Sequence, residues 1–581
     1  MGENKNFILF AIISMAILFG YNFMIAGPKK EAAMIEYERQ LAEAAAQQEA
    51  LAPELSAPAV EAVTPTATSG ATKSVAYEDA GFVQIETPEL SGSIALRGAH
   101  IDDLSLIKHQ TSMDEDSQNV RLFSKFNADA PYYVDFSWYG QTGSKVPDLT
   151  SVWTSDNDLL TPDSPVTLAW ENGEGAKYLM KIEVDDRFMF TVTQSVINTS
   201  ATPLTLAPYG AITRRSTPDT DGLYILHEGM IGVFNNELKE ITYDDMVDEG
   251  EFDLPTTGGW MGITDKFWMA ALVPDNKTAL KRARLKHSTR SGTSTYVADY
   301  AQDWQVVVPG ATLETTNRLY AGAKIVEAID DYEAQYEITL FNRAIDWGWF
   351  WFLTQPIFVG LHYLFELTGN YGVAILLMTV VLKLILFPLA NKSYESMSHM
   401  KTAQPKIKAL QERYKDDRQK MQQEMAALYK KEKINPLAGC LPMIPQMFIF
   451  FALYKTLYVT IEMRHQPFFG WITDLSAPDP LTPLNLFGLI PWDPPSMIAI
   501  GILPILMGAS MYLQQKMNPQ QASMDPAQQK IMNMLPLIFT FVMANFSAGL
   551  VLYWTWNNIL SIAQQHVIMK REDERIAAKG K

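Results

Sequence analysis

Lys383 stands between Leu382 and Leu384 in VAILLMTVVLKLILFPL, Val373 to Leu389, a run too long for an ordinary buried strand and readable as a membrane span. A charge at the bilayer centre costs roughly 2.5 to 3.5 kcal/mol on insertion scales, so something must offset this ammonium or it must escape the centre. Thr379 precedes it by four residues and so shares its helix face. In the last apolar run, LVLYWTWNNILSIAQQHVIM, Trp554, Asn557, Asn558, Ser561, Gln564 and Gln565 fall at helical spacing and form a polar stripe. Gln446 adds a polar group to a third run, and Ser510 and Gln514 add two to a fourth. Polar stripes on four helices with no carboxylate partner predict one shared, water-filled cavity into which Lys383 points. Two plainer readings compete. Lys383 lies six residues, roughly 9 Å, from the end of its run, close enough for its stem to snorkel to the interface. Asn, Ser and Gln stripes are also ordinary glue between membrane helices.

Signals for covalent chemistry are poor. The chain has no G-x-x-x-x-G-K-[ST] phosphate loop, no H-E-x-x-H zinc helix and no G-x-S-x-G elbow. MGASM, Met507 to Met511, brings an intramembrane serine protease to mind, but the eight His are scattered, and the Gly-Ala-Ser reads as close helix packing. The single cysteine, Cys440, sits in an apolar run, which rules out an intramolecular disulfide and a Cys-based metal site. These features predict a protein that is not an enzyme, with no catalytic residue, cofactor or metal.

The elements that position the polar stripes follow from composition. The 581 residues are 48% apolar, with 28 Met and 13 Trp, and the formal charge of −18 is unevenly spread: residues 350 to 581 carry +6, leaving −24 for the first 349. An acidic, water-soluble half thus precedes a basic, apolar half. The 19 apolar residues from Phe7 to Ile25 would make roughly 28 Å of helix, so residues 1–27 read as an uncleaved anchor rather than a signal peptide. Residues 28–76, rich first in Ala, Glu and Gln and then in Pro, Ala and Thr, read as a flexible linker.

From Tyr77 the pattern alternates with period two, as in GSIALRGAHIDDLSLI, YYVDFSWYG and KYLMKIEVDDRFMFTVTQ, where Asp185-Asp186 reads as a hairpin turn. This predicts a large antiparallel β-sandwich over residues 77–341. The aromatic segment from Asn342, with Trp347, Trp349, Phe350, Trp351 and Phe352, suits a helix at the membrane surface. Five further spans are read at Tyr371–Leu389, Leu437–Tyr458, Met497–Leu513, Ile531–Phe546 and Leu550–Met569, making residues 342–570 an α-helical polytopic unit with a tail at 571–581. The fourth and fifth of the six spans are short, about 17 and 16 residues, which would thin the local bilayer.

Residues 391–436 hold 11 Lys or Arg against 6 acids, so this loop is expected in the cytoplasm, both termini with it and the β domain on the opposite side. Within the loop Met400, Ala403, Ile407, Leu410 and Tyr414, and then Met421, Met425 and Leu428, recur at three and four spacing. They predict two antiparallel helices whose Met-rich face accepts varied partners, with Pro405 a local irregularity.

At VLKLILFPL, LQERYKDDRQKMQQEMAALYKKEKINPLAGCLPMIPQMFIFFALY and AGLVLYWTWNNILSIAQQ the sequence resembles the YidC/Oxa family of membrane-protein insertases, in its Gram-negative form with a large periplasmic domain. The resemblance is strongest over residues 342 to about 570. It implies a hydrophilic groove, open to the cytoplasm and to lipid, with one positive residue, a position that Lys383 matches where many relatives carry Arg. Thr379 and Trp554 match positions that touch the substrate's apolar segment, and Gln446 matches a polar groove position; Trp554 replaces a frequent Tyr. FSAGL, Phe546 to Leu550, lacks the usual proline, and the segment 478–496 is longer than in some relatives. The family further implies the bacterial inner membrane, nascent membrane-protein substrates, a chaperone role, cooperation with the Sec translocon, and ribosome contact that the short tail here would leave weak or transient. No nucleic-acid sequence recognition is expected. A secondary transporter is the rival reading, against which stand the absence of an internal repeat and of paired broken helices. A third reading makes the β domain a carbohydrate-binding module.

Overall fold

The computed structural model describes residues 80–114, 116–141, 143–220, 226–275, 278–290, 292–414, 417–432, 443–487, 489–490, 499–518 and 526–579. The expected anchor, the whole of the expected linker, Cys440 and part of the 478–496 segment lie outside them.

The alternating segments form two stacked sheets, one of eleven strands and one of nine. Pairing is antiparallel except where the two-residue strand Leu159–Leu160 joins Phe82–Glu86. In the strand Ala176–Val184 the inward residues Tyr178, Met180, Ile182 and Val184 are buried while the residues between them are less so, which is the period-two pattern made physical. The turn to Met189–Asn198 is the Asp185-Asp186 hairpin: Asp185 Oδ1 accepts the N–H groups of Arg187 and Met189, both at 3.0 Å.

Between the sheets, Trp138, Trp153 and Trp260 are among the largest buried side chains. A chain of amides bolts the two sheets together: Gln194 Nε2 donates to Ser137 O at 2.8 Å, Asn317 Nδ2 to Gln194 Oε1 at 3.0 Å, and Gln302 Nε2 to Thr315 Oγ1 at 2.9 Å. A short helix, α1 (Tyr243–Glu249), is capped by Thr242, whose hydroxyl accepts from Asp245 N.

Ten α-helices occur among the described residues. After α1 come α2 (Val326–Tyr336), α3 (Trp351–Thr368), α4 (Tyr371–Ile385), α5 (Phe387–Arg413), α6 (Arg418–Glu432), α7 (Met443–Val459), α8 (Ile502–Lys516), α9 (Pro526–Met543) and α10 (Ala548–Lys579). Asn370 caps α4 by accepting from Val373 N at 3.1 Å.

The expected straight span Tyr371–Leu389 is instead a bent pair: α4 ends at Ile385 and meets α5 at 67°. Pro388 is the physical cause, since it has no N–H for Leu384 O and its ring crowds that carbonyl. Among the described residues no single helix is long and apolar enough to cross a membrane, and the α4–α5 pair passes only as two segments together. The fourth expected span is shorter than read, 15 residues, and the fifth is longer, 18 residues. Pro405 breaks nothing, because α5 runs through it. The turn before α10 does without its proline: Ala548 N and Gly549 N donate to Ala477 O at 2.7 Å and Leu475 O at 2.9 Å, satisfying the first donors of that helix.

The β-sandwich is tied to the helices by a compact joint. Asp346 Oδ2 receives Lys455 Nζ of α7 at 2.6 Å and His227 N at 2.8 Å, while its Oδ1 receives Gly348 N at 3.0 Å. Burial pushes the Asp346 carboxyl up, but Lys455 and the two backbone donors outweigh it and hold the group below the usual carboxylate range. Past the end of α7, Glu462 Oε1 accepts Val326 N at 2.9 Å, capping α2, whose own N-cap Ile325 offers no side-chain oxygen. Arg464 then donates to Gln110 O at 2.7 Å, and Val459 and Ile461 sit in the hydrophobic core of the sandwich.

Candidate functional site

Lys383 occupies the last turn of α4, and its Nζ donates to Ser561 Oγ of α10 at 2.6 Å. Ser561 Oγ in turn donates to Asn557 O at 2.7 Å, so its lone pairs are left facing the ammonium. An ammonium carries three donors, of which this contact uses one. Tyr394 of α5 brings a second hydroxyl to Ser561.

A narrow cavity of about 10 Å³ lies beside this contact, lined by Thr379, Leu382, Lys383, Leu386, Gln446, Ile449, Tyr553 and Asn557. That is room for about one water, so the walls of three helices are nearly closed on one another. Gln446 of α7 donates from Nε2 to the Tyr553 hydroxyl. Thr379 is 1% exposed and its hydroxyl donates to Ile375 O at 2.7 Å, so it presents its methyl group and a satisfied oxygen.

The single wide cavity expected on four helices is therefore two separate constellations. Thr379, Lys383, Gln446 and Asn557 line one pocket, with Ser561 directly on the ammonium. Ser510 and Asn558 meet elsewhere, where Asn558 Nδ2 donates to Ser510 Oγ at 3.0 Å and joins α8 to α10. Gln514 is on α8 and outside the pocket. The reason is helical geometry: successive positions 557 and 558 are about 100° apart on the helix, so a stripe this broad serves two neighbours. Trp554 also lies off the pocket, with its ring 4.6 Å from Phe450 of α7 and 5.8 Å from Phe539 of α9 between centroids.

Of the pocket lining, the sequence reading omits Leu382, Leu386, Ile449 and Tyr553 as site residues, and it omits Tyr394, which reaches Ser561 from outside that lining. Tyr553 was passed over for its neighbour Trp554, although the four-residue steps Tyr553, Asn557 and Ser561 mark one face. Tyr394 belongs to the part of α5 that the sequence reading assigns to the hairpin, and only the bend at Leu386 brings it back toward α10.

In the hairpin, Met400, Ala403 and Ile407 are buried against Met425, Leu428 and Tyr429 across α5 and α6. Leu410 and Met421 are half-buried outside this cluster, and the Tyr414 ring lies near the cations of Arg413 and Lys420 at the turn. The root of α5 packs on the far end of α10 through Ala390, Tyr394, Met397, Ile568 and Met569, with Ser398 Oγ and Lys401 Nζ donating to Asp573 at 2.5 and 2.9 Å.

Comparison with known proteins adds independent findings. A family model described as 60Kd inner membrane protein matches residues 363–575, and one described as YidC periplasmic domain matches residues 82–359. The membrane protein insertase YidC of Methylorubrum extorquens is 45% identical, covering 99% of this chain and 97% of its own length. The protein of that name from Rhizobium meliloti is likewise 45% identical over 99% of this chain and 97% of its own length. Among solved structures, an active YidC insertase with its first transmembrane domain resolved aligns at 17% identity and TM-score 0.36, covering 82% of this chain and 90% of that one.

Proposed function

The chain belongs to the YidC family of inner-membrane protein insertases, and from that premise we propose that it inserts and folds nascent membrane proteins through the pocket around Lys383. Lys383 supplies the groove charge. Gln446, Asn557 and Ser561 supply a polar wall, and Thr379 and Trp554 the faces along which the substrate's apolar helix slides. Ser510, Gln514 and Asn558 support the wall by fixing α8 against α10. The hairpin residues Met400, Ile407, Leu410, Tyr414, Met421 and Met425 receive the emerging chain on the cytoplasmic side. No residue forms a covalent intermediate; the reaction is a transfer, driven by moving apolar surface from water into lipid.

The observation that carries this reading is the Lys383 contact with Ser561 beside a pocket walled by α4, α7 and α10. A snorkelling lysine would extend its ammonium toward the interface, whereas this one is turned across the helix bundle. Its neighbours are hydroxyl and amide groups, so its charge attracts an acidic substrate segment without being neutralised in advance. A closed resting pocket keeps the charge away from lipid tails until a substrate parts the helices. The membrane potential assists acidic segments moving outward. We place both termini and the hairpin in the cytoplasm and the β-sandwich in the periplasm, and assign cooperation with the Sec translocon and a weak, transient ribosome contact.

The test is protease-protected insertion of a short, acidic-tailed, single-span protein into liposomes holding the purified chain. Wild type inserts it, Lys383→Ala slows insertion about tenfold, and Lys383→Glu slows it further, one lost charge contact being worth roughly 1.4 kcal/mol or more. Equal rates in all three would remove Lys383 from the mechanism, and no insertion by wild type would remove autonomous insertion.

A further inference from the structure

The segment between α7 and α8 presents an apolar surface that neither the fold nor the pocket uses. From Pro480 to Ile490 it contains no charged residue. Leu484, Leu486, Phe487, Leu489 and Ile490 are all exposed, Leu489 at 82%. Leu486 and Phe487 hold φ angles of 49° and 60°, a left-handed conformation that bulky side chains rarely adopt.

This surface is held firmly. A 3-10 turn at Pro483–Asn485 is capped by the Thr482 hydroxyl, and Leu486 N, Phe487 N and Ile490 N donate to Pro483 O, Thr482 O and Asn485 O, each at 3.1 Å. The base of the segment is nailed to the first turn of α8 by Asp479, which is 7% exposed. Its Oδ1 accepts from Trp471 Nε1 and Leu481 N, both at 3.0 Å, and its Oδ2 from Leu503 N at 2.7 Å. Ile502 N donates to Leu481 O at 3.0 Å. Gly501 makes the close approach possible, since a Cβ there would stand 2.6 Å from Asp479 Cβ.

The mount explains the occupant. With 15 residues, α8 reaches roughly 22 Å, against the ~30 Å hydrocarbon thickness of a bilayer. The apolar segment is bolted to the first turn of this helix, and exposed Ile505 and Leu506 continue the apolar surface down it. The same end of the bundle holds the joint to the sandwich, since α7 leads there through Val459 and Ile461. We infer that residues 480–487 and 489–490 are a lipid-seated cap at the interface of the leaflet on the β-sandwich side, whose leucine, isoleucine and phenylalanine side chains reach into the acyl chains and extend the apolar height of a helix too short to span. Its exposed side chains carry no charge, and its non-helical backbone stays at the interface, where headgroups and water serve the groups that the turn does not pair, because irregular backbone is not tolerated facing the hydrocarbon itself. This inference rests on the membrane placement above, but not on the role given to Lys383.

The test uses the full chain in phosphatidylethanolamine and phosphatidylglycerol vesicles, in a Cys440→Ser background with a fluorophore on Leu489→Cys. Spin labels on the lipid acyl chains quench this probe and aqueous iodide does not, whereas a probe on the exposed sandwich surface just past the strand Gln305–Val307, Val308→Cys, shows the reverse. In a second measurement, Leu486→Ser with Leu489→Ser loses more insertion activity in thick, long-chain vesicles than in thin ones. Iodide quenching at Leu489 would overturn the proposal. So would protection from both quenchers with cross-linking between copies, which would make the segment a subunit interface. Acyl-chain quenching in a protein that inserts nothing would sustain the cap and sink the insertase mechanism alone.

Discussion

The β-sandwich and the helical bundle solve opposite solvent problems with one chain. The sandwich hides Trp138, Trp153 and Trp260 and spends its buried polar groups on the amide bolt between its sheets. The bundle exposes Leu384, Ile385, Leu489, Leu537 and Phe541 and buries Thr379, Asn557, Asn558 and Ser561. An exposed leucine is a liability in water and neutral in lipid, so the two surfaces identify the two solvents. The difference teaches that buried polar residues join sheet to sheet in the first region, whereas in the second they sit behind an apolar exterior, where we propose that part of them forms the groove. Between them the joint at Asp346, Lys455 and Glu462 follows the aqueous rules although α7 carries one of its partners.

The strongest way to break that comparison is to unpair the joint. Lys455→Met leaves the Asp346 carboxylate buried with only backbone donors, and the sandwich in detergent is expected to lose about 3 to 5 kcal/mol of stability, measured by thermal or denaturant unfolding. Asp346→Leu with Lys455→Met restores most of it. An unchanged midpoint for the single variant would show that the joint is not buried as an aqueous ion pair.

A smaller effect tests the same joint by pH. Burial raises the Glu462 carboxyl from an ordinary 4.5 to about 7, against the helix N–H that it caps. Between those values the folded state holds a proton that the unfolded chain has released, so stability falls as pH rises through the window and levels off above it. The full change is about 3 kcal/mol at 1.36 kcal/mol per pH unit. Glu462→Gln keeps the cap and flattens the slope between pH 5 and 8. A slope that survives the substitution belongs to another group.

The smallest effect sharpens the contrast between polar groups in the two regions. Asn317→Ala orphans Gln194 inside the sandwich and costs about 1 to 3 kcal/mol. Asn558→Ala breaks the bond to Ser510 between two bundle helices and costs only about 0.6 kcal/mol, because helices separated in lipid find other partners. Equal losses would mean that the bundle's polar stripes are structural in the same sense as the bolt.

Much was legible in the residues taken alone. Period-two alternation marked the strands, because a strand with one face on a core must alternate. Lys383 and the 557–561 stripe marked the site, because a charge and amides in apolar runs have few explanations. The apolar runs located α4, α7, α8, α9 and α10, since burial in either protein or lipid demands the same composition. Which helix faces meet was not legible. Asn557 and Asn558 looked like one stripe, and only the packing of α10 between α4 and α8 assigned one to the pocket and the other to Ser510. Tyr394 entered the site through the bend at Leu386, and Asp346 met Lys455 across 109 residues. Local pattern fixes what a segment must bury, because that depends on its own side chains; what it is buried against depends on segments far along the chain, so only the tertiary structure decides it.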